Sequence, residues 1–208
     1  MTSPLSRMRD FLAPNPRRQE LPLFPLNTVL FPGGRLRLKV FEARYLDMAA
    51  DCLRNEQPFG VCLIKLGAEV GQAAIPETVG CLARILRADM DSPGIMQLEA
   101  RGEGRFIVES TRLEANQLLM GQVRDKDDVA QLPVPADCRA TLEFLKALAA
   151  RLPEAGLETV LDDASWVGFR LAELLPLKAG ARQALLEMND AAKRLEILLE
   201  FMRRNGLA

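Results

Sequence analysis

The hydrophobic pattern of this chain changes its period once. From Leu21 to Arg124 apolar residues come in short alternating or continuous stretches separated by turn residues, and from Cys138 onward they recur every three to four positions. The first period belongs to strands and the second to helices. In residues 21–31, Pro22 and Pro25 fix φ and remove backbone donors, as Pro32 does just beyond, which predicts extended segments at a sheet edge or crossing between strands. Gly33-Gly34 supplies a turn. In the run Arg35-Leu36-Arg37-Leu38-Lys39 the alternation puts Leu36 and Leu38 on a buried face and the three cations on the other. Phe41, Tyr45, Met48, Cys52 and Leu53 then recur at helical spacing.

Further strands are predicted over residues 59–66, 82–88, 95–100, 105–110 and 118–124. The second and third of these should pair as a hairpin through the turn Asp91-Ser92-Pro93-Gly94. About six strands with one inserted helix would close into a small bent sheet or barrel. After the Pro133/Pro135 pair, residues 138–152 present Leu142, Leu145 and Leu148 on one helical face. Asp162 or Asp163 can cap a helix that Pro176 stops, residues 181–188 form a short one, and Asp190 caps the last, whose stripe is Leu195, Leu198, Leu199 and Met202. Glu200 pairs with Arg204 at i,i+4, and Gly206 stands where a C′ glycine belongs. The reading is therefore an α+β chain with a flexible leader at 1–19, a β-rich domain at 20–125, a linker at 126–136 and a helical bundle at 137–208.

Composition narrows the function. With 49% hydrophobic and 26% charged residues, and a net charge of −1 spread evenly over both halves, neither half attracts nucleic acid or membrane. The N-terminal arginines are not followed by a continuous apolar stretch, so no signal peptide or membrane span is expected. Cys52, Cys62, Cys81 and Cys138 have no C-x-x-C spacing, and we expect them reduced and buried in a cytoplasmic protein. The 208 residues contain no histidine, which removes the commonest general base and zinc ligand. They contain no Walker A loop, and the five serines fall in no nucleophile motif. No catalytic residue, cofactor or metal is predicted. Gly102-Glu103-Gly104 reads as a tight strand connection, because a strand rather than a helix follows it.

Three sets of residues are candidate contact sites. Met90 and Met96 flank the hairpin turn and suit an adaptable apolar surface, the alternative being a core-filling role. Phe31 and Pro32, beside an obligatory turn, would line a groove edge or else pack in the core. Arg35, Arg37 and Lys39 form a cationic stripe for an acidic peptide or RNA, or a solvated strand face guarded by charge. Tyr45 and Trp166 are expected in the core.

The order of these signals carries a resemblance. LPLFPLNTVLFPGGRLRLKVFEARYL at 21–46, Val79-Gly80-Cys81-Leu82-Ala83-Arg84-Ile85, LEARGEGRFI at 98–107, and the helical residues Ser165-Trp166, Leu175-Pro176-Leu177 and Gln183-Ala184-Leu185-Leu186-Glu187 together resemble the N-terminal substrate-binding domain of the Lon (La) ATP-dependent protease family over about residues 20–205. The resemblance implies a PUA-like pseudo-barrel followed by helices. It also implies a stand-alone, non-catalytic protein- or peptide-recognition module without the ATPase and protease parts. Its partners would be other proteins or unfolded polypeptide segments, with a protease or ATPase partner in the same role that those parts play in Lon. An RNA-binding protein using a PUA-like barrel is the alternative. The 5% aromatic content and pI of about 5.7 make nucleic acid an unfavoured partner.

Overall fold

Two prolines inside one strand set the first constraint on the sheet. In the computed structural model, which describes residues 17–126, 132–151 and 161–207, β1 runs Arg18–Leu26 and carries both Pro22 and Pro25. It is followed by β2 (Arg35–Val40), α1 (Ala43–Arg54), β3 (Phe59–Leu66), β4 (Ile75–Ser92), β5 (Ile95–Leu113) and β6 (Leu119–Asp125). The strand order is β2-β5-β4-β3-β1-β6, and β6 also pairs back onto β5, so five strands close into a barrel with β2 appended. β1 and β3 are parallel and the other pairs antiparallel. β1 is thus an interior strand, neither at a sheet edge nor crossing between strands as the prolines predict. Its prolines survive because Pro22 lies where only β6 pairs and Pro25 where only β3 pairs, so each missing donor falls on an open side.

The strands expected at 95–100 and 105–110 are one continuous strand of 19 residues, and 82–88 lies within an 18-residue β4. Gly102 is therefore not a connection between strands. A Cβ there would stand 2.1 Å from the Phe31 carbonyl oxygen, so only glycine lets the Phe31–Gly34 turn lie across β5. Gly33 takes φ 77° in that turn; its N–H donates to the Gly102 carbonyl at 2.7 Å, and the Gly102 N–H donates to Gly34 at 2.9 Å. Here β5 changes neighbour along one edge, from β2 at Met96–Arg101 to β6 at Phe106–Leu113.

α1 begins two residues later than the sequence pattern implies. Tyr45, Met48 and Cys52 are buried as expected, and Tyr45 stacks on Phe24 with ring centroids 3.9 Å apart. Phe41 precedes the helix and Leu53 lies on its outer side, so both are exposed. Of the expected leader, Arg18 and Gln19 already belong to β1, and residues 1–16 lie outside the described residues, as does 127–131 of the expected linker.

A 3-10 turn at Ala136–Cys138 leads into α2 (Arg139–Arg151), followed by α3 (Ala164–Leu174), α4 (Ala179–Glu187) and α5 (Ala191–Arg204). Asp163 accepts the Trp166 N–H at 2.6 Å and Asp190 the Lys193 N–H at 2.9 Å, the two N-caps. Pro176 follows α3, and Gly206 closes α5 with φ 67°. The apolar stripes of α3 and α5 face each other, while Trp166 is half-buried at the side of the cluster and not enclosed in it.

The helices share their core with the barrel: Val29, Phe31, Leu63 and Val79 join the cluster of Leu142, Val167, Leu171, Leu195 and Leu198. Across this seam run polar ties that the sequence pattern does not reveal. Arg105, buried in β5, donates to the carbonyls of Leu186 at 2.8 Å and Met188 at 3.1 Å. Within the helical part, Arg194 of α5, also buried, donates to Leu185 at 3.1 Å and to Met188, and lies 4.1 Å over the Phe169 ring. These two cations bond carbonyls of the last turn of α4, which a helix cannot satisfy within itself. Gln183 adds a bond to the Val79 carbonyl at 3.0 Å, and Arg170 one to the Pro32 carbonyl at 2.8 Å.

Candidate functional site

Period two in β2 produces the face on which most of the candidate residues lie. Leu36 and Val40 are buried and Leu38 half-buried, whereas Arg35, Arg37 and Lys39 are exposed as their alternation predicts. The register adds residues that reading β2 alone missed. Arg35 stands opposite Arg101 of β5, and Arg101 stands opposite Arg84 of β4, so three arginines lie side by side across the sheet. The next row is Arg37, Glu99 and Arg87, and the third Lys39, Gln97 and Asp89. Arg101 occupies the polar phase of LEARG, which was the available signal; its two arginine neighbours depend on strand pairing.

Like charges directly opposite one another repel unless carboxylates or a partner intervene. Arg35 lies 3.4 Å from Glu99, Arg84 is paired with Glu103, and Arg87 with Asp89. Arg37, Lys39 and Arg101 have no ion pair among the described residues. A shallow depression of about 180 Å³ lies among Arg37, Arg87, Gln97 and Glu99 on this face.

The methionines lie at the far end of the same band. Met96 pairs with Val40 on one side and Met90 on the other. Met90 is 58% exposed, as expected of a hairpin tip, but Met96 is half-buried against the cluster under β2 and α1. Phe31 is a correction: it is fully buried, its ring 5.7 Å from that of Phe169, because the Gly33-Gly34 turn folds inward onto Gly102. Pro32 is half-buried, and its carbonyl is tied to Arg170. Gly102 lies six residues along β5 from Met96, roughly 20 Å at strand rise. The structure therefore joins the cationic stripe to the methionine tip and places Phe31 inside the seam between barrel and helices.

Two features of the β2 margin had no sequence signal. The first is a groove of about 210 Å³ beside the strand, whose apolar wall is Phe24, Leu38, Val40, Phe41, Tyr45 and Val70 and whose rim carries Arg37, Lys39, Glu42 and Glu69. Phe41 and Val70 stand 54% and 57% exposed at its mouth. Arg44 fixes one wall, since its guanidinium donates to the carbonyls of Gly71 at 2.9 Å and Gln117 at 3.0 Å and pairs with Glu42 at 2.8 Å. The second feature is the open strand margin, because among the described residues β2 pairs with β5 alone. The Gly102 N–H bond to Gly34 fixes the alternation, so Leu36, Leu38 and Val40 bond β5 and the main-chain groups of Arg35, Arg37 and Lys39 point away from it. Glu173 accepts the Arg35 N–H; burial pushes its carboxyl above the usual range, an effect opposed by Arg170. Arg37 and Lys39 have no main-chain partner on that side among the described residues.

No group of three or more histidine, cysteine or acidic residues placed to hold a metal ion occurs among the described residues. The four cysteines are free and buried, and burial pushes the Cys52 thiol up to about 11 and the Cys62 thiol up to about 12, away from nucleophilic thiolate.

The fold and this band can be set beside known proteins. The sequence profile of the ATP-dependent protease La (LON) substrate-binding domain matches residues 20–204, which is nearly the whole chain. The chain belongs to the Lon substrate-binding domain family. A crystal structure of a Lon N-terminal domain protein from Xanthomonas campestris is 38% identical, with a TM-score of 0.74, over 88% of this chain and 98% of that one. The N-terminal domain of a Mycobacterium avium complex Lon protease, 18% identical with a TM-score of 0.61, shares the fold. Lon protease 2 of Myxococcus xanthus is 29% identical over 89% of this chain, and Lon protease of Anaeromyxobacter dehalogenans 29% identical over 88%. The chain spans about a quarter of the length of these curated relatives, 24% and 23%. The match confirms the α+β reading with a helical C-terminal part.

Proposed function

We propose that these 208 residues recognise exposed, extended segments of other polypeptides and perform no chemistry on them. The observation that carries the reading is the match to a substrate-binding domain over residues 20–204. It is supported by an exposed band that offers apolar side chains, cations and open main-chain groups together without a catalytic constellation. By analogy with the relatives that carry this region inside Lon proteases, a bound client would pass to a protease or ATPase partner. Among the described residues no helix is long and apolar enough to cross a membrane. With four free thiols, the cytoplasm is the compartment we assign. The RNA-binding alternative draws no support from the comparisons.

The test is binding of the purified chain to a reduced, carboxymethylated protein against the same protein in its native state, read by fluorescence anisotropy. The unfolded form should bind at least tenfold more tightly, and ATP hydrolysis and casein cleavage should stay at buffer level. Equal affinity for the two forms, or for neither, would sink the reading.

A further inference from the structure

We propose that the outer margin of β2 is a docking edge to which an extended segment of alternating acidic and apolar residues adds as a seventh strand. The proposal rests on the polypeptide-recognition reading and names where the segment lies and what chemistry it carries. Arg37 and Lys39 leave two N–H donors and two carbonyl acceptors without a main-chain partner along the β2 margin, and an extended chain is the ligand that satisfies such a row. Glu173, by taking the Arg35 N–H, closes the row at its N-terminal end.

Side chains of an added strand alternate between the two faces of the sheet. On one face they meet Arg35, Arg37 and Lys39, with Arg101 behind them, of which Arg37, Lys39 and Arg101 have no ion pair among the described residues. Acidic residues suit that face. On the other they meet the groove walled by Phe24, Leu38, Phe41, Tyr45 and Val70, where apolar residues fit and where Glu42 and Glu69 disfavour a further acid, although Arg37 and Lys39 also reach its rim. The same charges argue against a second copy of this chain as the occupant. Two β2 edges paired with each other would set arginine and lysine against arginine and lysine.

The direct test uses a labelled hexapeptide of alternating leucine and glutamate, titrated into the full chain by fluorescence anisotropy. It should bind at least tenfold more tightly than the same peptide with lysine in place of glutamate, and added salt should narrow the gap. N-methylation of every second peptide nitrogen removes donors from one edge of the ligand. One of the two possible methylated sets should lose at least tenfold and the other should bind as the parent does. Arg37→Pro should lose at least tenfold while keeping the fold, because the Arg37 N–H makes no bond to β5; should that variant unfold, the methylated peptides decide alone.

Equal binding of the glutamate and lysine peptides, or indifference to both methylated sets, would overturn the proposal. So would a dimer of the parent chain that Arg37→Pro dissociates, since the edge would then belong to a second copy. If Arg37→Pro and the parent bind carboxymethylated protein equally, the site is wrong and the recognition function stands. If the parent binds the hexapeptide but no unfolded protein, the edge stands and the broader function fails.

Discussion

Gly102 and Arg194 show how single residues hold this fold. The Phe31 carbonyl occupies the space a Cβ would need at Gly102, and that carbonyl belongs to the turn joining β1 to β2. Gly102→Ala should cost about 3 kcal/mol through this overlap, read as a fall in Tm of roughly 6–12 °C for a chain of this size. An unchanged Tm would mean that the turn does not lie on β5. Arg194 is fully buried and its proton affinity is depressed, to about 10, first by burial and then by the charge of Arg105. A guanidinium keeps its proton at any ordinary pH, so burial acts here as a standing cost that the α4 carbonyls and the Phe169 face offset. Lysine keeps the charge but cannot reach the Leu185 and Met188 carbonyls with one planar fork. Arg194→Lys should therefore lose about 2 kcal/mol or more in urea unfolding.

At the scale of elements, Asp162 ties the approach to α2 to the start of α3. Its carboxylate accepts the Val134 N–H at 3.0 Å and the Arg139 guanidinium at 2.8 Å, and these hold its pKa below the usual 3.8, the Val134 bond first. For a depressed acid, the stabilisation is present above about 3.8 and is lost as pH falls through the lower folded value. Asp162→Asn should thus be less stable than the parent at pH 6, and the difference should shrink below pH 4 in a Tm series. A difference constant down to pH 2 would contradict the assignment. The hairpin of β4 and β5 yields a second expectation, because its two methionines are unlike in environment. Met90→Ser should change Tm by less than about 2 °C, whereas Met96→Ser, which strips a side chain from the cluster under β2, should lower it by several degrees.

For the whole molecule, the decisive feature is that helices and barrel share one core and one set of polar ties. Neither half can open that seam without exposing Phe31 and Val79 and breaking the bonds of Arg105 to Leu186 and Met188 and of Gln183 to Val79. Denaturant unfolding should accordingly be one transition, with Trp166 fluorescence and far-ultraviolet dichroism coincident in midpoint. Two separated midpoints would show that barrel and bundle are stable apart.

The sequence by itself determined which residues alternate and which recur at helical spacing. That was sufficient for β2, for the Asp190 cap, for narrowing the other cap to Asp162 or Asp163, for the stripe of α5 and for the family, because each depends on neighbours in the chain. It misread Gly102-Glu103-Gly104 as a connection, since a glycine demanded by a distant carbonyl looks the same in sequence as one demanded by a turn. It left Phe31 as a candidate for contact when the turn in fact folds it inward. The row Arg35, Arg101 and Arg84, the groove beside Phe41 and the burial of Arg105 and Arg194 arise from residues far apart in the chain. Only strand register and helix docking bring them together, because hydrogen-bond pairing between strands and the shape of a packed core are properties of pairs and not of positions.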